Sequence, residues 1–428
     1  MSTAPVTAPA SRRLVFKRDA LLNGLFAAMI FFGFLVFVEP APYDLFAVVL
    51  MPLMLFNGFK LDRVLLTLTI VLLLYNLGGF FSLIPWWSET LSVIFTVLSF
   101  YLAILCVFLA VFFSQDPVRR AEICLQAYML STVVVALAGI IGYFNIFGLF
   151  DTLTLYGRAK GTFKDPNVYG PYLAVGALYL IQNLALKRTR RVLISVVLLA
   201  IILFGLLLSF SRGAWGAFVI SASLMMFSGF VTAREARTRA RIVTFSALVV
   251  GAVFLSISVA FLDPSTRELL TSRATVTQSY DEGETGRFGA QLRSLTDLIE
   301  RPNGYGPMRY AKHWGGDPHN SYVNAFASYG WLGGLSFITL VLLSYFIGFR
   351  LIFTRSPVQN AAQVFFPGLF TSFLQAMQID IDHWRHVFLF IAAIWGLEAA
   401  RQRWLKTGQI SVFPAPASDP LAGRKAAA

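Results

Sequence analysis

Twelve apolar runs divide this chain from end to end, at 21–38, 43–59, 64–84, 91–113, 122–148, 168–184, 192–209, 212–231, 242–262, 321–348, 361–379 and 387–400. A run in lipid has no water to satisfy its peptide groups, so each must close its own hydrogen bonds as a helix. Composition agrees: of 428 residues 57% are hydrophobic and only 13% charged, with mean hydropathy +0.68. A soluble chain of this size carries about 25% charge. The expected fold is all-α, a polytopic membrane bundle of about 12 transmembrane helices occupying 20–406. Residues 1–19 and 407–428, rich in Ala, Pro, Ser and basic residues, are expected as disordered cytoplasmic tails.

Charge placement gives the orientation. With the N-terminus in the cytoplasm and the spans alternating, 23 of the 35 Lys and Arg residues fall in inside segments. The net charge of +13 is therefore mainly a topology signal, and its scatter over many short loops argues against a nucleic-acid partner. The first apolar run follows a basic N-terminus but lacks a small-residue cleavage pattern, so it reads as an uncleaved span. Cys106 and Cys124 lie in or near spans four and five, which implies no extracellular disulfide framework.

Two outward segments are unlike the other loops. The first, about 149–167, holds Arg158, Lys160, Lys164 and Asn167. The second, 263–320, is too long for a connector. Within it, Phe288, Leu292, Leu295 and Ile299 form one apolar face, which fits an amphipathic helix lying on the membrane or capping the bundle. Pro302-Asn303-Gly304 ends that helix.

Outward basic residues run against the positive-inside pattern and need a reason. Arg212 stands at a tight turn between spans seven and eight, and Arg287 opens the amphipathic segment. A guanidinium presents a planar fork that matches phosphate oxygens and stays charged. Arg212 and Arg287, with the Arg158, Lys160 and Lys164 cluster, can hold a lipid diphosphate at the outer surface. The plainer reading is interfacial snorkelling or pairing with nearby acids. His319 closes the long loop at the mouth of span ten. Histidine is a side-chain type that can take a proton near neutral pH, which suits a general base acting on a hydroxyl. The plainer readings are an interfacial His319, with Asn320 as the helix cap, and packing roles for Gly330 and Gly333.

A second polar knot runs from Asp380 to His386. Its spacing is no metal signature, and Arg385 in its middle opposes a cation; Asp382 is retained as a substrate-binding candidate. No P-loop, dinucleotide fingerprint, HExxH or serine elbow is present in the sequence, so neither a cofactor nor a metal is expected.

Four blocks of sequence resemble the O-antigen ligase and Wzy-type polysaccharide polymerase superfamily of bacterial inner-membrane glycosyltransferases. These are Arg158 to Gly161 with Asp165-Pro166-Asn167; Ser211-Arg212-Gly213-Ala214; Gly286-Arg287 with Pro302 and Gly304-Tyr305-Gly306; and His319-Asn320 followed by Gly330 and Gly333. They follow the family's order across about 158–333. The resemblance implies metal-independent, inverting transfer of a glycan from undecaprenyl diphosphate on the periplasmic face. The acceptor is a second glycan in a polymerase or lipid A-core in a ligase. Arg212 and Arg287 would hold the diphosphate, and His319 would activate the acceptor hydroxyl, with Asn320 among the substrate-binding residues. Polymerase and ligase stay open as readings, polymerase first. A transporter or flippase is the rival class, disfavoured because the spans lack midplane charges and paired broken helices.

Overall fold

The computed structural model describes residues 10–56, 58–260, 262, 267 and 287–412, with the side chains of 10–17, 252, 253, 256, 257, 259, 260, 287 and 288 left out. Among the described residues the regular structure is helical apart from one two-residue ribbon pair, β1 (Thr154–Leu155) with β2 (Arg158–Ala159). The long helices are α1 (Ala10–Phe31), α2 (Pro42–Leu55), α3 (Arg63–Leu83), α4 (Thr90–Gln115), α5 (Pro117–Tyr143), α7 (Pro166–Ala185), α8 (Val192–Leu208), α9 (Arg212–Thr232) and α10 (Ala236–Ala260). After the long loop come α13 (Ser321–Phe353), α14 (Gln359–Gln375) and α15 (Arg385–Thr407). The shorter α-helices are α6 (Phe150–Leu153), α11 (Arg287–Ile299) and α12 (Tyr310–Trp314), and single 3-10 turns lie at Phe32–Phe34, Ile84–Trp86 and Ile146–Gly148.

Each apolar run of the sequence falls on one of the long helices. Five of them are long and apolar enough to cross a membrane, over Arg63–Trp86, Thr90–Gln115, Pro117–Tyr143, Arg212–Thr232 and Ser321–Phe353. Helix α1 starts at Ala10, inside the segment expected as a tail. Residues 1–9 and 413–428 of the expected tails lie outside the described residues, as does most of 263–286 in the long loop.

The bundle is built on close helix pairs. Helix α3 runs along α13, α4 along α15, and α7 packs against α5, α8 and α9, with α14 bridging α9, α13 and α15. Small residues permit the nearest approach. A Cβ added to Gly78 of α3 would lie 2.6 Å from the Gly333 nitrogen of α13, so backbone meets backbone at that crossing.

Polar contacts collect at two ends. At one end Arg120, fully buried, donates to the Phe112 carbonyl at 2.6 Å and to Asp19 at 2.9 Å, and Arg350 and Arg401 both pair with buried Glu398. These are segments that the charge pattern assigns to the inside. The opposite end carries the ribbon, α11, α12 and the helix starts of α9 and α13.

Candidate functional site

His319 and Arg212 flank the polar caps of two helices, His319 just before its cap and Arg212 just after. Each lies next to a polar cap, and each cap follows or borders a non-glycine residue held at positive φ. Asn320 caps α13, its Oδ1 accepting the Tyr322 and Val323 amides at 3.0 and 3.2 Å. His319, just before it, sits at φ 45°. Ser211 caps α9, its Oγ accepting the Ala214 amide at 3.3 Å, and Phe210 before it sits at φ 43°. Left-handed backbone at a non-glycine residue costs about 1–3 kcal/mol and persists only where its surroundings fix it.

At His319 the surroundings are Asp380 and Gln291. The Asp380 carboxylate accepts the Asn320 amide at 3.1 Å, and its other oxygen lies 3.8 Å from His319 Nδ1. From the opposite side, Gln291 of α11 donates to the Pro318 carbonyl at 2.7 Å and accepts from Asn320 Nδ2 at 3.3 Å. The imidazole itself is half exposed, so it is braced at its backbone and open at its ring. Burial raises the Asp380 carboxyl above the usual carboxylate range, with Asp382 and Asp317 adding to the effect and the Asn320 and His319 amides opposing it.

The glycine motif has a separate function. Gly330 breaks α13 at φ 65°, ψ −167°, a region that essentially only glycine occupies. The loop after α11 docks in the break. The Trp331 amide donates to the Pro302 carbonyl at 2.8 Å, and the Ala327 carbonyl accepts the Tyr305 and Gly306 amides at 2.7 and 3.1 Å. Those loop groups satisfy the peptide atoms that the break frees. A Cβ on Gly330 would meet the Pro302 oxygen at 2.3 Å, and one on Gly304 the Ala327 oxygen at 2.5 Å. The Trp331 indole adds a bond to the Leu298 carbonyl at 2.9 Å. Pro302 to Gly306 and Ala327 to Trp331 are therefore two halves of one joint, which fixes the loop after α11 on α13.

The Arg212 turn is clamped from the first outward loop. Arg158 is buried and donates from Nε to the Ser209 carbonyl at 2.8 Å and from its fork to Asn167 Oδ1 at 2.9 Å. The same Asn167 oxygen accepts from Ser211 Oγ at 2.8 Å. Asp165 caps α7 and receives the Asn167 amide at 2.6 Å. Arg158 and Asn167 thus bind the turn that presents Arg212. Lys160 is half-buried, and Lys164 is exposed and pairs with Glu39 at 3.2 Å.

The two turns are joined by the segment 375–382. A Cβ on Gly213, next to Arg212, would sit 3.5 Å from Gln375 Nε2 at the end of α14. One residue on, the Ala376 carbonyl accepts the Ser321 amide at 2.7 Å, and the Ile381 amide donates to Ser321 Oγ at 2.7 Å. Asp380 and Asp382 extend from that segment. Asp382 is buried and accepts from Asn324 in the first turn of α13. The rest of the knot turns away: His383 Nε2 lies 3.2 Å from both Ser99 Oγ and the Phe95 carbonyl, and burial pushes its imidazole down to about 4. Arg385 forms a fork on Asp44, at 2.9 and 2.6 Å. Among the described residues no three acidic, His or Cys side chains converge as metal ligands would.

Arg287 opens α11, one turn before Gln291 on the same helix; its side chain lies outside the described residues. Of the two placements expected for the apolar face, on the membrane or against the bundle, the second is not adopted: Leu292, Leu295 and Ile299 are turned outward. Leu292 and Ile299 are 70% and 66% exposed, while Gln291, Ser294 and Leu298 are buried against the protein. Gln291 donates to the Pro318 carbonyl, Ser294 accepts from the Tyr310 hydroxyl and Leu298 packs on Tyr305, Val323 and Ala327, so a mixed face docks and the apolar stripe is turned outward. Sequence reasoning did not single out Gln291, and it named Asp380 only as the first residue of the polar knot, retaining Asp382 as the site residue. The signal for Gln291 was its place on the non-apolar face four residues after Arg287.

Among the described residues the chain is mostly helical, five helices are long and apolar enough to cross a membrane, and cationic and imidazole side chains stand at helix starts. Residues 197–338 match the family model for O-antigen ligase. The resemblance to the O-antigen ligase and Wzy-type superfamily holds over that stretch, which supports an O-antigen ligase- or polymerase-type membrane enzyme. The match contains Arg212, Arg287, His319, Gly330 and Gly333. The clamp at 158–167 and the segment 375–386 lie outside it. No curated protein matches the chain.

Proposed function

We propose that the chain is a bacterial inner-membrane glycosyltransferase, crossing the membrane twelve times with both termini cytoplasmic. One bundle over 20–406 carries the site on the periplasmic face. It transfers a glycan from undecaprenyl diphosphate to an acceptor hydroxyl, without metal and with inversion. The acceptor oxygen bonds to the anomeric carbon as the bond from that carbon to the diphosphate oxygen breaks. His319 takes the hydroxyl proton, and undecaprenyl diphosphate leaves with the bonding pair. Arg212 and Arg287, each at a helix start, offset the charge that grows on the leaving diphosphate, where fixed cations and helix N-termini act most strongly.

The observation that carries this reading is the brace on His319. A base must be held in place yet open to its substrate, and this ring is both. Asp380, beside Nδ1, orients the ring and stabilises the imidazolium once it forms. Arg158 and Asn167 act on the donor through the Arg212 turn that they hold. Lys160, Lys164, Asn320 and Asp382 complete the polar surroundings of donor and acceptor.

Polymerisation of lipid-linked repeats is the first reading. The description of the matched family favours ligation to lipid A-core as the second. Gel and mass analysis of surface and lipid-linked glycans from a deletion strain separates them. Single repeats replacing long chains identify a polymerase. Long chains lost from lipid A but retained on undecaprenyl diphosphate identify a ligase. Unaltered surface and lipid-linked glycans overturn the transferase reading.

A further inference from the structure

Residues 383–386 help to line a cavity of about 240 Å³ between α1, α2, α4, α5, α7 and α15. Four tyrosines line it. Tyr101 donates to Asp44 at 3.1 Å, Tyr128 donates to the Tyr172 carbonyl at 3.0 Å, and the Tyr172 hydroxyl lies 2.6 Å from Ser131 Oγ. The fourth, Tyr43, is 3% exposed, and its hydroxyl meets no hydrogen-bond partner among the described residues. His386, 7% exposed, lines the same cavity with its Nε2 equally unmatched. A buried polar group left without a hydrogen-bond partner is destabilising. Two such groups on one cavity mark a place for a partner that brings its own donors and acceptors.

The other walls restrict the partner further. Most of the lining is apolar or aromatic, with the Trp384 and His386 rings 5.3 Å apart at one side. A ligand must therefore present hydroxyls on one side and carbon-bound hydrogens on the other. The mouth carries near-zero net charge: Lys164 pairs with Glu39 at 3.2 Å, and Arg385 is held by Glu39 and Asp44. That balance does not favour a phosphate. The volume falls below the roughly 300–1,000 Å³ of sites for drug-sized ligands, so it suits a single ring. The polar orphans fit an isoprenoid chain poorly.

We propose that this cavity is a sugar-binding subsite, which takes one neutral ring of a glycan with Tyr43 and His386 as its polar contacts. The inference rests on the glycan-transfer reading and names a place for the sugar that the diphosphate and base residues leave unassigned. The ring belongs either to the donor glycan or to the acceptor, and the test distinguishes them.

Binding is measured first, by equilibrium dialysis of the full chain in detergent. The probe is tritiated oligosaccharide released by mild acid from the host's lipid-linked glycan. Tyr43→Phe removes only the unpartnered hydroxyl and should leave the thermal midpoint at or above that of the wild type. It is expected to weaken binding about tenfold, the loss of one buried hydrogen bond. Equal binding by both proteins, or no binding by either, overturns the subsite whether or not the chain transfers glycan. Initial rates then assign the source. Leu98→Trp, which fills the cavity, and Tyr43→Phe are each expected to raise one KM about tenfold with little change in kcat. A raised donor KM places the donor sugar there, and a raised acceptor KM the acceptor. Unchanged KM values for both substrates in folded variants also overturn it. A wild type that binds the oligosaccharide but transfers nothing counts against the transferase reading and leaves the subsite standing.

Discussion

Asp380 lies with one carboxylate oxygen 3.8 Å from His319 Nδ1 and the other on the Asn320 amide at 3.1 Å. One side chain thus fixes the backbone of the turn and faces the imidazole that the turn presents. Burial keeps Asp380 protonated to higher pH than an ordinary carboxylate. Ionised, it favours the imidazolium that forms when His319 takes a proton; protonated, it does not. Transfer should therefore rise with pH through a range above the usual carboxylate values. Asp380→Asn should remove that rise and lower kcat on the alkaline side by about tenfold or more. A pH–rate profile of the two proteins checks this. The effect on stability has the opposite sign: with its folded pKa raised, Asp380 contributes fully below its unfolded value, and that contribution is lost as pH climbs through the folded one.

Gly330→Ala tests the joint between Pro302 and the broken helix. The added methyl would lie 2.3 Å from the Pro302 oxygen on a backbone that only glycine adopts readily. The expected cost is about 3 kcal/mol, through strain and displacement of the loop. Transfer should be lost along with it, because α11 and its Gln291 brace are displaced. Thermal unfolding in detergent measures the first effect and rates at saturating substrate the second.

Substitutions at Arg158 and Arg212 should separate, the first showing in stability and the second in kinetics. Arg158 is buried among protein oxygens, so Arg158→Ala should cost roughly 2–4 kcal/mol of stability. Arg212→Lys keeps the charge and loses the fork. It should leave the thermal midpoint near that of the wild type and raise donor KM about tenfold. Unfolding curves and donor titrations of both variants check the contrast.

The twelve-span reading makes a simple topological prediction. A membrane-impermeant maleimide should label Lys164→Cys in intact spheroplasts, and should label Arg188→Cys only after lysis. The native thiols should not interfere, since Cys106 and Cys124 are both buried.

The helices were legible because a lipid-facing backbone has one solution, and hydropathy reports it directly. The cap at Asn320 was legible for a similar reason, since its partners are the next two residues with amides to spare. The joint was not. Gly330 reads as a packing glycine along the chain, while the carbonyl that needs it belongs to Pro302, in a different element. Arg158 carries the same letter whether it faces a phosphate or the Ser209 carbonyl. The apolar stripe of α11 was found correctly at Leu292, Leu295 and Ile299, but periodicity does not say whether protein or lipid lies against it. Here Gln291 and Ser294 are the buried side. Asp380 was hidden among four titratable neighbours, and only the fold shows which of them stands beside His319.

The central claim is that His319 moves the proton in glycan transfer, and one measurement bears on it most directly. Purified wild type and His319→Ala are given the host's undecaprenyl-diphosphate glycan with its acceptor, and release of undecaprenyl diphosphate is followed with formation of the transferred product. The account predicts transfer by the wild type and a loss of about 10²–10⁴-fold in His319→Ala at an unchanged thermal midpoint. Transfer by a folded His319→Ala at the wild-type rate would contradict it.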